Sequence, residues 1–252
     1  MRAPANTARL VTLLTVSGLW ITAAAVALVA VGAVTLFLAR RLYARLAATV
    51  ARVVLKIWRI ELAVHHRSGG WPQRQVVYIS NHPSTLDLFV LVALGLPNTR
   101  FFLSGFLQRY IPLGVVARMM GTFFTVPQTR PAERRAIFAR ADRVLRRTGA
   151  SVYLSPEGQR VADGSIGAFN KGAFHLAASL RAPIVPLFIE IPASITPGRG
   201  YDARSGRIDV HVFPQIDTTS WSVDEASMRK EQTRQLYLDW NRARATRPQE
   251  AA

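Results

Sequence analysis

The sequence contains no cysteine. That excludes disulfides, thiolate nucleophiles and cysteine-ligated metals, and it leaves the compartment open. Acidic residues are also scarce: 15 Asp and Glu stand against 32 Lys and Arg, a formal charge of +17. Lysine is nearly missing, so the positive charge is arginine, whose flat guanidinium suits phosphate groups or a phospholipid surface. Nucleic acid is the competing partner. Zinc-finger spacing, an aromatic RNA-binding signature and a clear basic recognition helix are all missing, so nucleic acid is not expected. No internal repeat or low-complexity linker divides the 252 residues, which suffice for one sizeable domain and a terminal segment.

Residues 10–39 carry no charge and are dominated by Leu, Val, Ala and Thr. At about 1.5 Å per residue they exceed the roughly 30 Å hydrocarbon thickness, so a tilted transmembrane helix fits. The run is too long for a signal peptide and is followed by basic residues. A helix pair dipping into one leaflet is the alternative, with Ser17-Gly18 as a bend. Arg40, Arg41, Arg45, Arg52, Lys56 and Arg59 outweigh Arg2 and Arg9, which places the downstream domain at the cell membrane on the cytoplasmic face.

Residues 40–64 place Leu42, Leu46, Val50, Val53, Val54, Ile57 and Trp58 at helical spacings among cations. That pattern predicts a basic amphipathic helix over 40–67, suited to an anionic membrane surface; an ordinary surface helix with solvated arginines is the bland reading. His65-His66 lacks further ligands for a metal, and Ser68-Gly69-Gly70 marks a boundary. The expected organisation is a membrane segment at 1–39, the amphipathic helix, an α/β domain at 68–221, and a C-terminal helix with a polar tail at 222–252.

Within the domain, short apolar runs alternate with glycine-punctuated loops and helices, which argues for an α/β fold with a mostly β core flanked by helices. The predicted strands are 76–79, 101–103, 122–126, 151–154 and 182–189, with a half-exposed edge strand at 208–212. Helices are expected over 86–94, 115–120 and 131–148, the second broken by Gly121 and the third stopped by Gly149. A capping box, Ser222-x-x-Glu225, opens a last helix that docks Leu236 and Trp240.

The first strand ends at Asn81-His82-Pro83-Ser84-Thr85-Leu86-Asp87. Pro83 fits the first turn of a helix, and Ser84 and Thr85 can cap its amides. If His82 lies just before that helix, Asp87 can accept a hydrogen bond from one ring nitrogen, leaving the other to take a proton from a hydroxyl. From this pair alone, a surface histidine and an acid complementing the helix dipole is the simpler reading. Residues 151–154 end similarly, in Ser155-Pro156-Glu157-Gly158-Gln159-Arg160, which can face His82 or form a charged turn. In Phe169-Asn170-Lys171-Gly172, Gly172 permits close backbone approach as a helix begins.

Taken together, these segments resemble the glycerolipid acyltransferase family, whose type members acylate lysophosphatidic acid. Asn81-His82 with Asp87 resembles its Asn-His-four-Asp signature, and 121–126 its second block. Residues 155–160 resemble Phe-Pro-Glu-Gly-Thr-Arg, 169–172 a Phe-x-Lys-Gly step, and 182–187 the proline-containing fourth block. The order holds over 76–214. The chain departs at Pro127, where the family has Arg, with Arg130 three residues further on; Gln159 replaces Thr and Ser155 replaces Phe.

The resemblance implies transfer of an acyl group from acyl-CoA or acyl carrier protein to the hydroxyl of a lysolipid, most directly 1-acyl-sn-glycerol-3-phosphate. His82 would act as base and Asp87 as its orienting acid, with Asn81, Glu157, Gly158, Arg160, Lys171 and Arg130 on the substrate side, Asn81 helping to position the loop and Glu157 holding the loop or the guanidinium. Amides near Ser84 and Thr85 are candidates for the oxyanion. Without cysteine or a Gly-x-Ser-x-Gly elbow, transfer should be direct. Neither a metal nor a bound cofactor is implied. A lyso-aminolipid or glycolipid acceptor, and a non-catalytic lipid-binding protein, are the alternatives.

Overall fold

The computed structural model describes residues 4–67, 69–161, 163–195 and 200–245. Arg2, Ser68 and the polar tail from 246 lie outside these described residues. Two helices lead the chain, α1 (Pro4–Val34) and α2 (Arg40–Ile57). Then follow β1 (Ile60–His66), β2 (Val77–Ser80), α3 (Asp87–Ala93), β3 (Thr99–Ser104), α4 (Ile111–Met119), β4 (Phe123–Thr125) and α5 (Pro131–Thr148). The remainder is β5 (Ser151–Leu154), α6 (Gly172–Leu180), β6 (Ile184–Glu190), β7 (Gly206–Val212) and α7 (Ala226–Ala245).

The strands form one sheet in the order β1-β7-β6-β2-β5-β3-β4, parallel except for the β6/β7 pair. Side chains alternate between its faces, as the two-residue period of a strand requires. Val76 and Tyr78 join the core beneath α1 to α4, whereas Val77 and Ile79 join the core beneath α5 to α7. All four are fully buried, as parallel strands covered by helices on both faces demand. The result is a three-layer α/β/α fold. Since β2 pairs with β5 on one side and β6 on the other, the loops leaving β2 and β5 emerge side by side at the carboxyl edge.

Several elements differ from the sequence-based expectation. The amphipathic helix stops at Ile57 rather than continuing to 67, because Arg59 takes a left-handed conformation (φ +53°) and residues 60–66 pair with β7. The α/β domain therefore begins near residue 60, not 68. Strand β7 is not an edge strand: β1 and β6 flank it, leaving β1 and β4 outermost. Helix α3 starts at Asp87, so Pro83, Ser84 and Thr85 belong to the preceding loop. Helix α1 runs unbroken through Ser17-Gly18, and the chain instead turns at Leu36 and Phe37, both at positive φ. Leu236 is exposed, and α7 docks through Tyr237 (2 % exposed) and Trp240.

Helix α1 lies against the domain along its length. Ser17, Ile21, Ala25 and Leu28 make a buried stripe at helical spacing, whereas Val11, Leu14, Leu19, Val26 and Val29 are exposed. The Arg9 guanidinium reaches the Ala203 carbonyl near one end, and Trp20 Nε1 donates to the Val50 carbonyl at 3.2 Å. Near the other end, Gly32 packs against Met119 of α4.

Candidate active site

The site is built where β2 and β5 end. His82 Nδ1 lies 2.6 Å from Asp87 Oδ2, and the Ser84 amide donates to the same oxygen at 3.1 Å. The acid is buried at 1 % exposure, and the imidazole is one-third exposed. This is the arrangement a positioned base requires: the acid lies behind one ring nitrogen, and the other ring nitrogen remains for a substrate hydroxyl. Burial pushes the Asp87 carboxyl above its usual range, opposed by the His82 hydrogen bond and charge, the Ser84 amide and the Arg160 guanidinium. Asp87 Oδ1 finds no donor among the described residues. Because the Ser84 amide serves Asp87, it is not aimed at an oxyanion, contrary to the sequence-based expectation.

The backbone of His82 is held from both sides by the loop after β5. Its amide donates to Glu157 Oε2 at 2.7 Å, and its carbonyl accepts from the Val161 amide at 3.0 Å. The other Glu157 oxygen accepts from the Gly167 amide at 2.9 Å. Glu157 is thus a buried brace between loops. Burial raises its carboxyl and the two amides pull it back down.

Gly158 turns the loop at φ +67°, where a Cβ would lie 2.7 Å from Asn170 Nδ2. Arg160 follows, exposed, with its charge acting on Asp87 and on the Tyr201 hydroxyl. One loop therefore positions the histidine backbone and presents a guanidinium beside the pair.

Asn81 is also a positioning residue. Its Nδ2 donates to the Ile189 carbonyl at 2.9 Å and its Oδ1 accepts from the Ile189 amide at 2.8 Å, so the buried amide ties the end of β2 to β6. Lys171 is exposed at the start of α6, where burial lowers the His175 pKa and the Lys171 charge adds to it. Arg130 stands just before α5, makes no capping side-chain hydrogen bond and pairs with Glu133 at 3.6 Å. Just past the second block, Gln128 reaches the site loop, its Nε2 lying 3.3 Å from the place a Gly158 Cβ would take.

Further contacts from outside the catalytic pair support the site. The Tyr237 hydroxyl donates to the carbonyls of Ile79 and Leu187 at 3.1 and 3.0 Å, tying α7 to the strand that carries the histidine. Thr85 donates to the Gly200 carbonyl, and Tyr201 meets Tyr110 at 3.4 Å between hydroxyls. These contacts bring the 200–203 segment to the rim, a long-range placement that no local spacing announces. Among the described residues, no group of three His, Asp or Glu is placed to hold a metal.

A buried acid behind a partly exposed histidine, with a guanidinium beside them, is the arrangement of an enzyme that uses a positioned base. A family model described as "Acyltransferase" matches residues 61–190, just over half of the chain, and the chain belongs to that family. Over 184 residues it is 26 % identical to a 1-acyl-sn-glycerol-3-phosphate acyltransferase of Limnanthes alba, covering 73 % of this chain and 65 % of the relative. A chloroplastic 1-acyl-sn-glycerol-3-phosphate acyltransferase of Brassica napus is 38 % identical over 124 residues, 48 % of this chain and 34 % of the relative. The match thus spans less than two-thirds of these relatives. The crystal structure of the 1-acyl-sn-glycerophosphate (LPA) acyltransferase PlsC from Thermotoga maritima superposes with a TM-score of 0.80, covering 99 % of this chain and all of that one at 16 % identity. That likeness shows the fold, with its central sheet flanked by helices.

Proposed function

We propose that this protein transfers a fatty acyl group from an acyl thioester, on coenzyme A or acyl carrier protein, to the free hydroxyl of 1-acyl-sn-glycerol-3-phosphate. The observation that carries the reading is the 2.6 Å pair of His82 and Asp87, with the histidine backbone clasped by the loop that bears Arg160. His82 Nε2 takes the acceptor's hydroxyl proton as its oxygen attacks the thioester carbonyl. The new C–O bond forms, the C–S bond breaks, and the proton passes to the departing thiolate. Asp87 keeps the imidazole in the tautomer that accepts at Nε2 and stabilises the cation that forms. Arg160 holds the anionic headgroup. The relatives' names support the acceptor, and the chemistry of the site supports the reaction.

Membrane attachment belongs to the same reading. A transmembrane helix leaves its domain on one side, whereas α1 stays against α2 and α4 from Arg9 to Gly32 and turns apolar side chains outward. That arrangement favours a helix embedded in one leaflet, with the basic α2 beside it and the domain on the anionic cytoplasmic face. One feature favours a second acceptor. With Pro127 in place of an arginine and Gln128 beside Gly158, the site offers an amide where a guanidinium is usual, which suits a lyso-aminolipid or glycolipid hydroxyl.

The test is a liposome assay with a radiolabelled acyl thioester and a panel of lysolipids. The expected product is phosphatidic acid, with Arg160→Ala raising KM for the lysolipid by about tenfold or more. Labelling of a lyso-aminolipid or glycolipid alone would replace the first acceptor with the second.

A further inference from the structure

Away from the site, at the amino ends of β3 and β4, the turn between α1 and α2 opens a pocket of about 550 Å³. The six residues of β3 separate it from the carboxyl edge by roughly 17 Å. Arg40, Arg41, Arg100 and Asn98 line it, with Thr148 at the end of α5. Arg40 donates to the carbonyl of Thr99 and to Asn98 Oδ1, and Arg41 Nε donates to the same amide oxygen at 3.2 Å. Arg100 donates to the Gly121 carbonyl at 3.1 Å, and its charge and that of Arg147 act on each other.

Among the described residues no carboxylate compensates these guanidiniums. None of the three lining arginines forms an ion pair among the described residues, and the stretches they stand in explain why: residues 1–60 and 88–132 contain no Asp or Glu. Burial and the neighbouring charges of Arg100 and Arg41 lower Arg40 to about 10. Close approach of like charges is otherwise costly, and here the backbone permits it. At Gly121 (φ +76°) a Cβ would collide with the Arg100 guanidinium and lie 2.8 Å from Arg40 Cδ. Beside the pocket, Leu36, Phe37 and Leu38 are 74 %, 58 % and 82 % exposed at the end of the apolar helix.

We propose that this pocket binds the phosphate of an anionic membrane lipid, whose chains lie against Leu36, Phe37 and Leu38. A phosphate oxygen set supplies the negative charge that one neutral asparagine oxygen cannot, and the adjoining apolar turn selects a headgroup presented at a bilayer over one in solution. The site is separate from the catalytic one and anchors the domain at its far edge; it rests on the membrane attachment proposed above, not on the chemistry at His82.

The test uses the full chain and sedimentation with phosphatidylcholine vesicles, with and without phosphatidic acid. Arg41 is exposed, so Arg41→Gln should fold; Arg45→Gln removes the same charge one turn along the same helix. Arg41→Gln is expected to weaken binding to phosphatidic acid vesicles by about tenfold and Arg45→Gln by less than about twofold. Equal losses in the two variants would show bulk electrostatics and overturn the site. Thermal shifts with inorganic phosphate provide the other arm: stabilisation of wild type but not Arg41→Gln, with unchanged vesicle binding, would assign the pocket to free phosphate and overturn the lipid. Acyl transfer in detergent micelles should be unaffected by Arg41→Gln, and vesicle binding by His82→Ala should be normal, so either reading can fail alone.

Discussion

At the scale of single residues, the site trades stability for chemistry at Asp87. A carboxylate at 1 % exposure, with one oxygen lacking a donor, is poorly solvated, which is why its pKa is raised. Because the folded-state pKa lies above the unfolded value, the folded protein holds the proton more tightly between the two. That contribution is full below the unfolded value of about 3.9 and is lost as pH rises through the raised one. Asp87→Asn should therefore raise the melting temperature at neutral pH while abolishing acyl transfer, and the gain should vanish as pH falls toward about 4. A lower melting temperature at neutral pH would show that the ionised pair stabilises the fold. His82, Asp87, Glu157 and Arg160 stand in the sequence as chemistry-bearing types at strand ends. A loop-bracing role for Asn81 and Glu157 was among the sequence readings, but their partners were not legible there, since an amide or carboxylate facing backbone groups of β6 or a neighbouring loop has the same local spacing as one facing a substrate.

At the scale of elements, a glycine sets the spacing between two helices of one layer, α5 and α6. A Cβ at Gly172 would lie 2.6 Å from the Phe138 ring, which is itself stacked on Phe102 at 4.7 Å and cannot swing away freely. Helix propensity alone favours Gly172→Ala by about 1 kcal/mol. Overpacking of about 1–3 kcal/mol opposes it. The variant should lose stability in urea unfolding and separate α6 from α5; a gain would mean that the ring yields. Helix α5 and strand β5 were legible to the residue because proline, glycine and clean periodicity bracket them. Strand β1 was not. Ile60, Leu62 and Val64 alternate in a strand's period, but the helical spacing of α2 leads into them without a glycine or proline, and the break falls on the left-handed Arg59. Strand β7 shows a different limit: alternation of Ile208, Val210 and Val212 reports which face is buried, and it carries no information on whether both edges are paired.

At the scale of the whole molecule, the sheet order brings distant sequence segments together. The loops after β2 and β5 are 75 residues apart at His82 and Glu157, and strand pairing alone makes them neighbours. The apolar helix and basic composition indicated a membrane partner from the sequence; its attitude did not, because length and hydropathy are the same for a helix that spans and one that lies along its own domain. A tag at the N-terminus and one at the C-terminus should both be cleaved by protease added to the cytoplasmic side of membranes. Protection of the N-terminal tag alone would restore the spanning helix.

The central claim is that one imidazole, set by one acid, performs acyl transfer. The direct measurement is the rate of acyl transfer to 1-acyl-sn-glycerol-3-phosphate by His82→Ala, with folding verified by circular dichroism. The predicted result is a fall of about 100- to 10,000-fold against wild type. A folded His82→Ala protein that turns over within about threefold of wild type would contradict it, since removal of a working base costs far more than that.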